Sequence, residues 1–536
     1  MGSHLFKVDE LCLNIDKDFM QEVCERVGFI PDPSIWNPPD DYIDFPPIDE
    51  LDEKVQLLYA IEADFEIDFQ MNAGTFRMVV FGDNETIVHD ENITVATRFQ
   101  RILNYLDGKI ASDGMSTLRV EFQAIASPIL SFRLYGDKNA IQAYINTPNL
   151  VNMWYSFSSN KDLKNYEYFS PMPNIDNQLE LTFSRAKNVI VHKIPDVPNA
   201  KKFNQNLRGS YALQKVVWLG KQYDELENVN YMLSENSTKA INPINQFSFL
   251  ESYPKLYSFR ECCRAMVNLK KLILPKYVDD SREINFWGLL QDCVNIEYVE
   301  YPVNMLSANI RDLYRDCSLI KKTYLPEDVP MWGSGIFYNA VSIEKVKFLH
   351  NETIQYAPTN MCRGMTAVEE IEIIGDEALW TDMSYMFYND ENLKSLKLPA
   401  SLPVVTTIAN MTAGCQLLTE LHPIQWTITP IRAENSFTTA MYVVNQPTLR
   451  VTHFALNSVT AKNTTHINID WANSNFSTLT SSINISGVQL DVIEIDRIFT
   501  ELPAVSNNRN INVRLNPGAA ACDATIATAK GWTVTK

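Results

Sequence analysis

The sequence predicts a mixed α/β, mostly β protein: a solenoid of stacked repeats, preceded by an N-terminal extended arm and a small β-sandwich. Three observations predict it. A core pattern recurs every 23–27 residues over most of the chain. Ahead of it, residues 63–69 alternate apolar and acidic side chains with a period of two. Ahead of that lies an acidic, proline-rich stretch that fits no regular element. The resulting boundaries are 1–54 for a short helix and the arm, 55–145 for the sandwich, 146–430 for the solenoid, and 431–536 for divergent repeats and a C-terminal cap.

Residues 9–27 place Phe19, Val23 and Val27 along a short amphipathic helix. Residues 31–53 hold six prolines, eight acidic side chains and no Lys or Arg. Pro removes backbone donors and like charges extend the chain, so helix and central strand are excluded there. Trp36, Tyr42 and Phe45 interrupt this run. Two readings stand: a solvated linker, or an arm whose apolar anchors dock into a neighbouring subunit's groove. Next, Ala63, Phe65, Ile67 and Phe69 alternate with Asp64, Glu66 and Asp68. Asn72-Ala73-Gly74 reads as a hairpin turn into Phe76, Met78 and Val80, and Phe81-Gly82-Asp83-Asn84 turns again. Residues 87–95, 118–122 and 129–135 add strands, giving four to seven in an antiparallel sandwich.

The rest of the chain repeats. A small anchor residue is followed by core residues at +3, +6 and +8: Met266 by Leu269, Leu272 and Leu274, Cys293 by Ile296, Val299 and Tyr301, Met365 by Val368, Ile371 and Ile373. Ile241, Cys317, Ala340, Asp390 and Cys415 are the other anchors. Positions +6 and +8 share one face of a short strand. One unit cannot bury that face alone, so neighbours must stack. The period lies in the leucine-rich-repeat range of about 20–29 residues. Weaker units start at Thr147, Ser210, Gln446 and Gly487. At the end, Asp523 caps a short helix, Gly531 stops it, and Trp532, Thr533 and Val534 form a last strand.

Acidic side chains number 65 against 46 basic, a net charge of −19. That disfavours nucleic acid as a partner, since phosphate neutralisation needs clustered Lys and Arg. Gly, at 18 residues, is scarce, which disfavours phosphate-cradling loops. No stretch reaches the roughly 18 apolar residues of a membrane span, so no membrane insertion is expected. The nine cysteines are odd in number and lack C-x-x-C spacing, which fits buried thiols made in a reducing cytosol. No H-E-x-x-H, G-x-S-x-G, Walker A or G-x-G-x-x-G occurs. Asp491, Glu494 and Asp496 read as solvated carboxylates on a strand. No catalytic residue, metal ligand or cofactor is assigned, and the chain reads as non-enzymatic; a glycan-cleaving carboxylate pair, partnered only in space, is the remaining enzymatic reading.

The unit around Leu290-Gln291-Asp292-Cys293-Val294-Asn295-Ile296 resembles the "F-x-x-C-x-x-L" of BspA-like leucine-rich repeats, with Leu for the leading Phe. Met383-Ser384-Tyr385-Met386-Phe387 is similar to that family's "M-x-x-M-F". Phe81-Gly82-Asp83-Asn84 departs at two of four places from the W-G-D-G turn of the β-domain that often precedes such repeats. The ending, Asn516-Pro517-Gly518 through Lys530-Gly531-Trp532, resembles the termini of BspA-like proteins encoded by gut Bacteroidales and their tailed phages, crAss-like phages included. The resemblance covers about 150–536. It implies a leucine-rich-repeat solenoid. Bacterial members are secreted adhesins with export signals, and no such signal opens this sequence; a phage virion protein, made in the host cytoplasm, needs none.

Strand positions +5 and +7 face outward. In order they give Lys271, then Tyr298 and Glu300, Lys322 and Tyr324, Lys345 and Lys347, Glu370 and Glu372, and Lys397. Stacking sets Lys345 beside Glu370, and Lys347, Glu372 and Lys397 in a row. This face is read either as a self-paired sheet surface or as a protein-docking face with Tyr298 and Tyr324 as anchors. The expected function is a structural protein of a tailed-phage virion, in the tail or collar, bound to other virion proteins in several copies. The alternative is a host-recognition adhesin binding a surface receptor or glycan.

Overall fold

The computed structural model describes residues 38–46, 52–422 and 475–536 apart from short gaps, together with Arg432, Tyr442–Val443 and His466–Ile467. The helix expected at 9–27, Trp36 and the repeat expected at Gln446 lie outside the described residues.

The sandwich is built from β1 (Lys54–Ile61), β2 (Phe65–Met71), β3 (Gly74–Phe81), β4 (Ile87–Val95), β5 (Arg98–Leu103), β6 (Lys109–Ile110), β7 (Ser116–Ala124), β8 (Phe132–Leu134) and β9 (Ala140–Asn146). The larger sheet runs β9-β1-β7-β3-β4, with β6 on β7, and the smaller runs β5-β2-β8. All these pairings are antiparallel. Leu57, Tyr59, Phe76, Met78 and Phe122 meet Ile67 and Phe69 in the core between them.

The hairpin expected at Asn72-Ala73-Gly74 does not form. β2 joins the smaller sheet and β3 the larger, so the chain crosses between sheets there. A hairpin would put Phe69 and Phe76 side by side on one face, whereas here both sheets send apolar faces into one core. The Asn72 Oδ1 accepts from the backbone of Leu130 and Ser131 at 2.8 and 3.2 Å, which ties down the crossing. The true hairpin joins β3 to β4, closed by Gly82 N–H on the Thr86 carbonyl at 2.8 Å. Gly82 is required there: a Cβ would lie 1.9 Å from the Asp107 carbonyl oxygen. β1 was not legible as an alternating strand because all eight of its residues are buried.

Its second face is covered by residues 38–46. Tyr42 and Ile43 pack on Leu58, Ala60, Ala111 and Ile141, with Phe45 against the same cluster. Phe45 stacks on Tyr144 with ring centres 4.3 Å apart. The Tyr42 hydroxyl donates to Asp113 at 2.6 Å, which deprives it of any wish to ionise: burial first, then the carboxylate, pushes its pKa up.

The solenoid grows directly from this sheet. β10 (Asn165–Tyr168) pairs in parallel with β9. It belongs to a coil anchored at Asn160, with Leu163, Tyr166 and Tyr168 at +3, +6 and +8. A second unread coil follows at Ala186, with Val189, His192 and Ile194. These two were hidden because Asn, Tyr and His occupy core columns. Thr147, expected as an anchor, instead follows the end of β9, and Asn152 pairs with Ser131 on the other side of the first coil.

From Met266 to Leu421 the coils follow one plan. The +6 residues Leu272, Val299, Val346, Ile371, Leu396 and Leu421 are all buried. Eight residues before each anchor, Ser258, Asn285, Asn309 and Trp332 form a second parallel ladder on another side of the stack. Its polar members turn the chain: Asn285 Oδ1 accepts from Trp287 N–H and Asn309 Oδ1 from Arg311 N–H, each at 3.1 Å. Between this ladder and the anchor, alternate N–H groups bond the next coil, as Glu261, Cys263 and Ala265 do to Trp287, Leu289 and Gln291. The others close i→i−3 turns. This geometry requires positive φ at positions −5 and −1, supplied by Asp312 and Asp316, Gly335 and Asn339, and Asn360 and Gly364. Gly, Asn and Asp tolerate that conformation best.

The anchors tie coils together. Cys293, Cys317 and Cys415 are buried, and their thiols donate to the carbonyls of Cys263, Leu290 and Phe387, three residues before the preceding anchor, at 2.9, 3.1 and 2.9 Å. Asp390 stands in the same column, fully buried, with Oδ1 accepting from Met365 N–H at 2.9 Å. Burial pushes its carboxyl well above the usual range.

The C-terminal segment differs from expectation at one place. The unit read at Gly487, with Ile493 and Ile495 on a strand, is an α-helix, Val492–Glu501. Asp491 and Glu494 form a reciprocal capping box, and Ile495, Ile498 and Phe499 face inward while Ile493 is exposed. D-x-x-E ahead of an i, i+3, i+4 apolar set is a helix start, a signal the strand reading passed over. Beyond it, Ile483–Asn484, Arg509–Asn512 and Trp532–Thr535 make a parallel three-stranded sheet, and Asp523 caps the helix Ala524–Thr528.

Candidate interaction surface

Because +6 points into the core, +5 and +7 of each strand point out, and in-register parallel pairing carries them into rows. One row runs Lys345, Glu370, Ser395 and Glu420, the other Lys347, Glu372, Lys397 and His422. Lys345 Nζ is 3.1 Å from Glu370 Oε2. Glu372 lies between Lys347 at 4.0 Å and Lys397 at 3.6 Å. The neighbours expected from stacking are brought together. Glu327, on the connecting segment, was not foreseen: it meets Lys347 at 2.7 Å, and that hydrogen bond raises the ammonium's pKa above its ordinary value.

The preceding coils are arranged differently. Lys271 pairs with Tyr298 in register, and its Nζ lies 5.3 Å from that ring's centre. Tyr298 meets Tyr324 edge to face at 4.9 Å, and Lys322 Nζ lies 5.5 Å from the Tyr324 ring. Among the described residues no carboxylate comes within ion-pair distance of Lys271 or Lys322. Glu300 is exposed at the end of its strand. The face therefore has two halves, one of closed ion pairs and one of two tyrosines flanked by two ammonium groups.

Of the arm anchors, Tyr42 and Phe45 lie on the chain's own sheet, as described above. Asp491, Glu494 and Asp496, read as strand carboxylates, belong to a helix: Asp491 and Glu494 cap its start, and Asp496, within it, accepts from Asp523 N–H at 2.7 Å through Oδ1. Among the described residues no three His, Cys, Asp or Glu side chains group as metal ligands, and no helix is long and apolar enough to cross a membrane.

With this geometry in place, residues 236–366 match the BspA-type leucine-rich-repeat region in six copies. Similar solved structures include a leucine-rich-repeat protein from Bacteroides ovatus, 12% identical, covering 67% of this chain and 97% of that one with a TM-score of 0.35. A leucine-rich-repeat protein of T. pallidum is 17% identical over 36% of this chain and 76% of that one, TM-score 0.24. TLR13, solved with a single-stranded RNA, is 11% identical over 72% and 70%, TM-score 0.17. No curated protein matches. The described coils stack as a leucine-rich-repeat solenoid, and within it residues 236–366 are similar to the BspA-type repeat region.

Proposed function

We propose that the chain is a non-enzymatic structural protein of a tailed-phage virion, in the tail or collar, whose repeat strands dock a neighbouring virion protein. The observation that supports this reading is the cluster of Lys271, Tyr298, Lys322 and Tyr324. Its ammonium groups lie against rings instead of carboxylates, so its polar valences are open, and tyrosines are enriched among the residues that carry interface energy. The phage setting draws on the resemblance of the C-terminal sequence to repeat proteins of Bacteroidales phages.

The test is mass spectrometry of purified particles, with and without Lys271→Glu and Tyr324→Ala together. Several copies per particle in the wild type, lost in the double variant, is the expected result. Recovery of the chain only from host membranes would overturn the reading. Particles that keep the variant chain but no longer bind cells would favour the adhesin alternative. Deleting residues 1–37 tests the arm while sparing the segment that covers Leu58 and Ile141; loss of the chain from particles is expected, and normal incorporation would make those residues a linker.

A further inference from the structure

On the turn ladder, away from the strand face, arginines and aromatic rings alternate from coil to coil. Arg208 and Arg260 lie 5.5 and 5.6 Å from the centre of Tyr231. Arg260 and Arg311 then enclose Trp287, at 3.9 and 4.8 Å. Further along, Arg315 and Arg363 enclose Tyr338 at 5.0 and 5.6 Å, and Arg363 reaches Tyr385 and Tyr388 at 5.3 and 5.0 Å. Most of the pattern arises because positions −6 (Arg260, Trp287, Arg311) and −2 (Arg315, Tyr338, Arg363, Tyr388) of successive coils stack in columns about 4.8 Å apart, with Tyr231 and Tyr385 beside them at −5. None of these residues belongs to the apolar columns from which the repeat was read.

We infer that this strip binds an extended, acidic polypeptide segment of another protein. Arg260 lies against two rings and Arg311 against one, which restrains both guanidinium groups, so less side-chain entropy remains to be lost when their outward N–H groups engage a ligand. Arg264, Arg363 and Arg208 are engaged within the chain, by Glu261 at 2.6 Å, Asn360 at 3.0 Å and Gln205 at 2.9 Å, but Arg260 and Arg311 are held more loosely. The carboxylates nearest Arg260 and Arg311, on Glu261 and Asp312, stand off at 3.7 and 3.5 Å. A charge-assisted hydrogen bond is about 2.7–2.9 Å. A planar fork with free donors matches a carboxylate in two-point contact.

The charge balance selects among anions. Six arginines, Arg264 included, outnumber the four carboxylates set among them, Glu261, Asp292, Asp312 and Asp316. The strip is therefore positive on a chain of net charge −19. Interleaved carboxylates tolerate a ligand with spaced charges and repel a dense polyanion. Nucleic acid is disfavoured a second way: Trp287 and Tyr338 each already have two arginines against them, so neither ring is open for a base to stack on. Arg260 and Arg311 are two coils apart, roughly 10 Å, which is the span of about three extended residues. A carboxylate at every third residue is the matching register.

The test uses the full chain and a fluorescein-labelled 18-residue peptide of repeated Glu-Gly-Ser, with Gln-Gly-Ser as its uncharged control, read by polarisation. Binding of the Glu peptide alone is expected, at least tenfold weaker for Arg260→Gln with Arg311→Gln and partly lost for Arg260→Lys with Arg311→Lys, which keeps charge but not the fork. Unchanged circular dichroism would confirm that the variants fold. Equal binding of both peptides, unaltered binding by the Gln variant, or tighter binding of a 15-nucleotide thymidine oligomer would each overturn the inference.

Discussion

On the covered face of the sandwich, Arg119, Glu121 and Gln56 are buried in a set of bonds that no repeat generates. In the solenoid, Cys293, Cys317 and Cys415 make the same bond in three different coils. Both arrangements satisfy buried polar groups, but by different rules. In the repeat, translation along the stack supplies each donor with its acceptor, so a column predicts its own partners. In the sandwich the partners follow no repeat: one is two residues along the same strand and the others come from distant segments. Arg119 reaches Glu85 at 2.6 Å, Glu121 at 3.1 Å, the Asp44 carbonyl at 2.8 Å and the Phe81 ring at 4.1 Å.

The largest effect that separates the two regions is expected at Arg119. Arg119→Met leaves Glu121, 3% exposed, without its guanidinium and frees the segment that covers β1. Breaking a buried pair from one side costs about 3–5 kcal/mol. Cys293→Ala, Cys317→Ala and Cys415→Ala should each cost only about 1–2 kcal/mol, for one hydrogen bond and a small void, and should agree with one another. Urea unfolding of the four variants measures this. Cysteine values that spread as widely as the gap to Arg119 would show that the columns are not equivalent.

The same contrast explains what the sequence disclosed. A translated column repeats its residue type, so Leu272, Val299, Ile371 and Leu396 announced both the solenoid and the outward rows that flank them. Uniqueness hides information. Nothing local to Arg119 points to Glu85, and β1 loses its alternation because Tyr42 and Ile43 bury its second face. Within the solenoid, the Arg and aromatic columns stayed unread because a search for apolar periodicity passes over them, although their spacing is as regular. The coils at Asn160 and Ala186 were missed for a related reason, since Tyr166 and His192 fill core columns that elsewhere hold aliphatics.

A smaller effect probes how far an exception can sit in a column. Asp390 replaces a thiol, and with its raised folded pKa it binds a proton that the unfolded chain releases above about 3.9. Its contribution is complete in acid and is lost as pH rises through the folded value. His192 and His350 act in the opposite direction. Burial lowers them to about 3 and about 4, so below about 6.5 the unfolded chain binds more protons and stability is lost as the pH drops toward the folded values. Asp390→Asn should remove only the first dependence, so the variant gains on the wild type as pH rises. Urea midpoints from pH 4 to 8 read the difference; parallel curves would show an Asp390 that does not hold its proton.

The smallest effect concerns the outward rows, where position in a column guarantees proximity but not burial. Lys345 is 73% exposed and Glu370 35%, so their pairing at 3.1 Å is worth less than about 1 kcal/mol, and the Debye length of about 3 Å in 1 M salt removes most of it. A double-mutant cycle with Lys345→Ala and Glu370→Ala should give a coupling of that size at low salt and almost none at high salt. A larger, salt-resistant coupling would mean that the charged half of the face helps hold the coils in register. Charge changes there would then disturb folding and docking together, and only the half bearing Lys271 and Tyr324 would report binding alone.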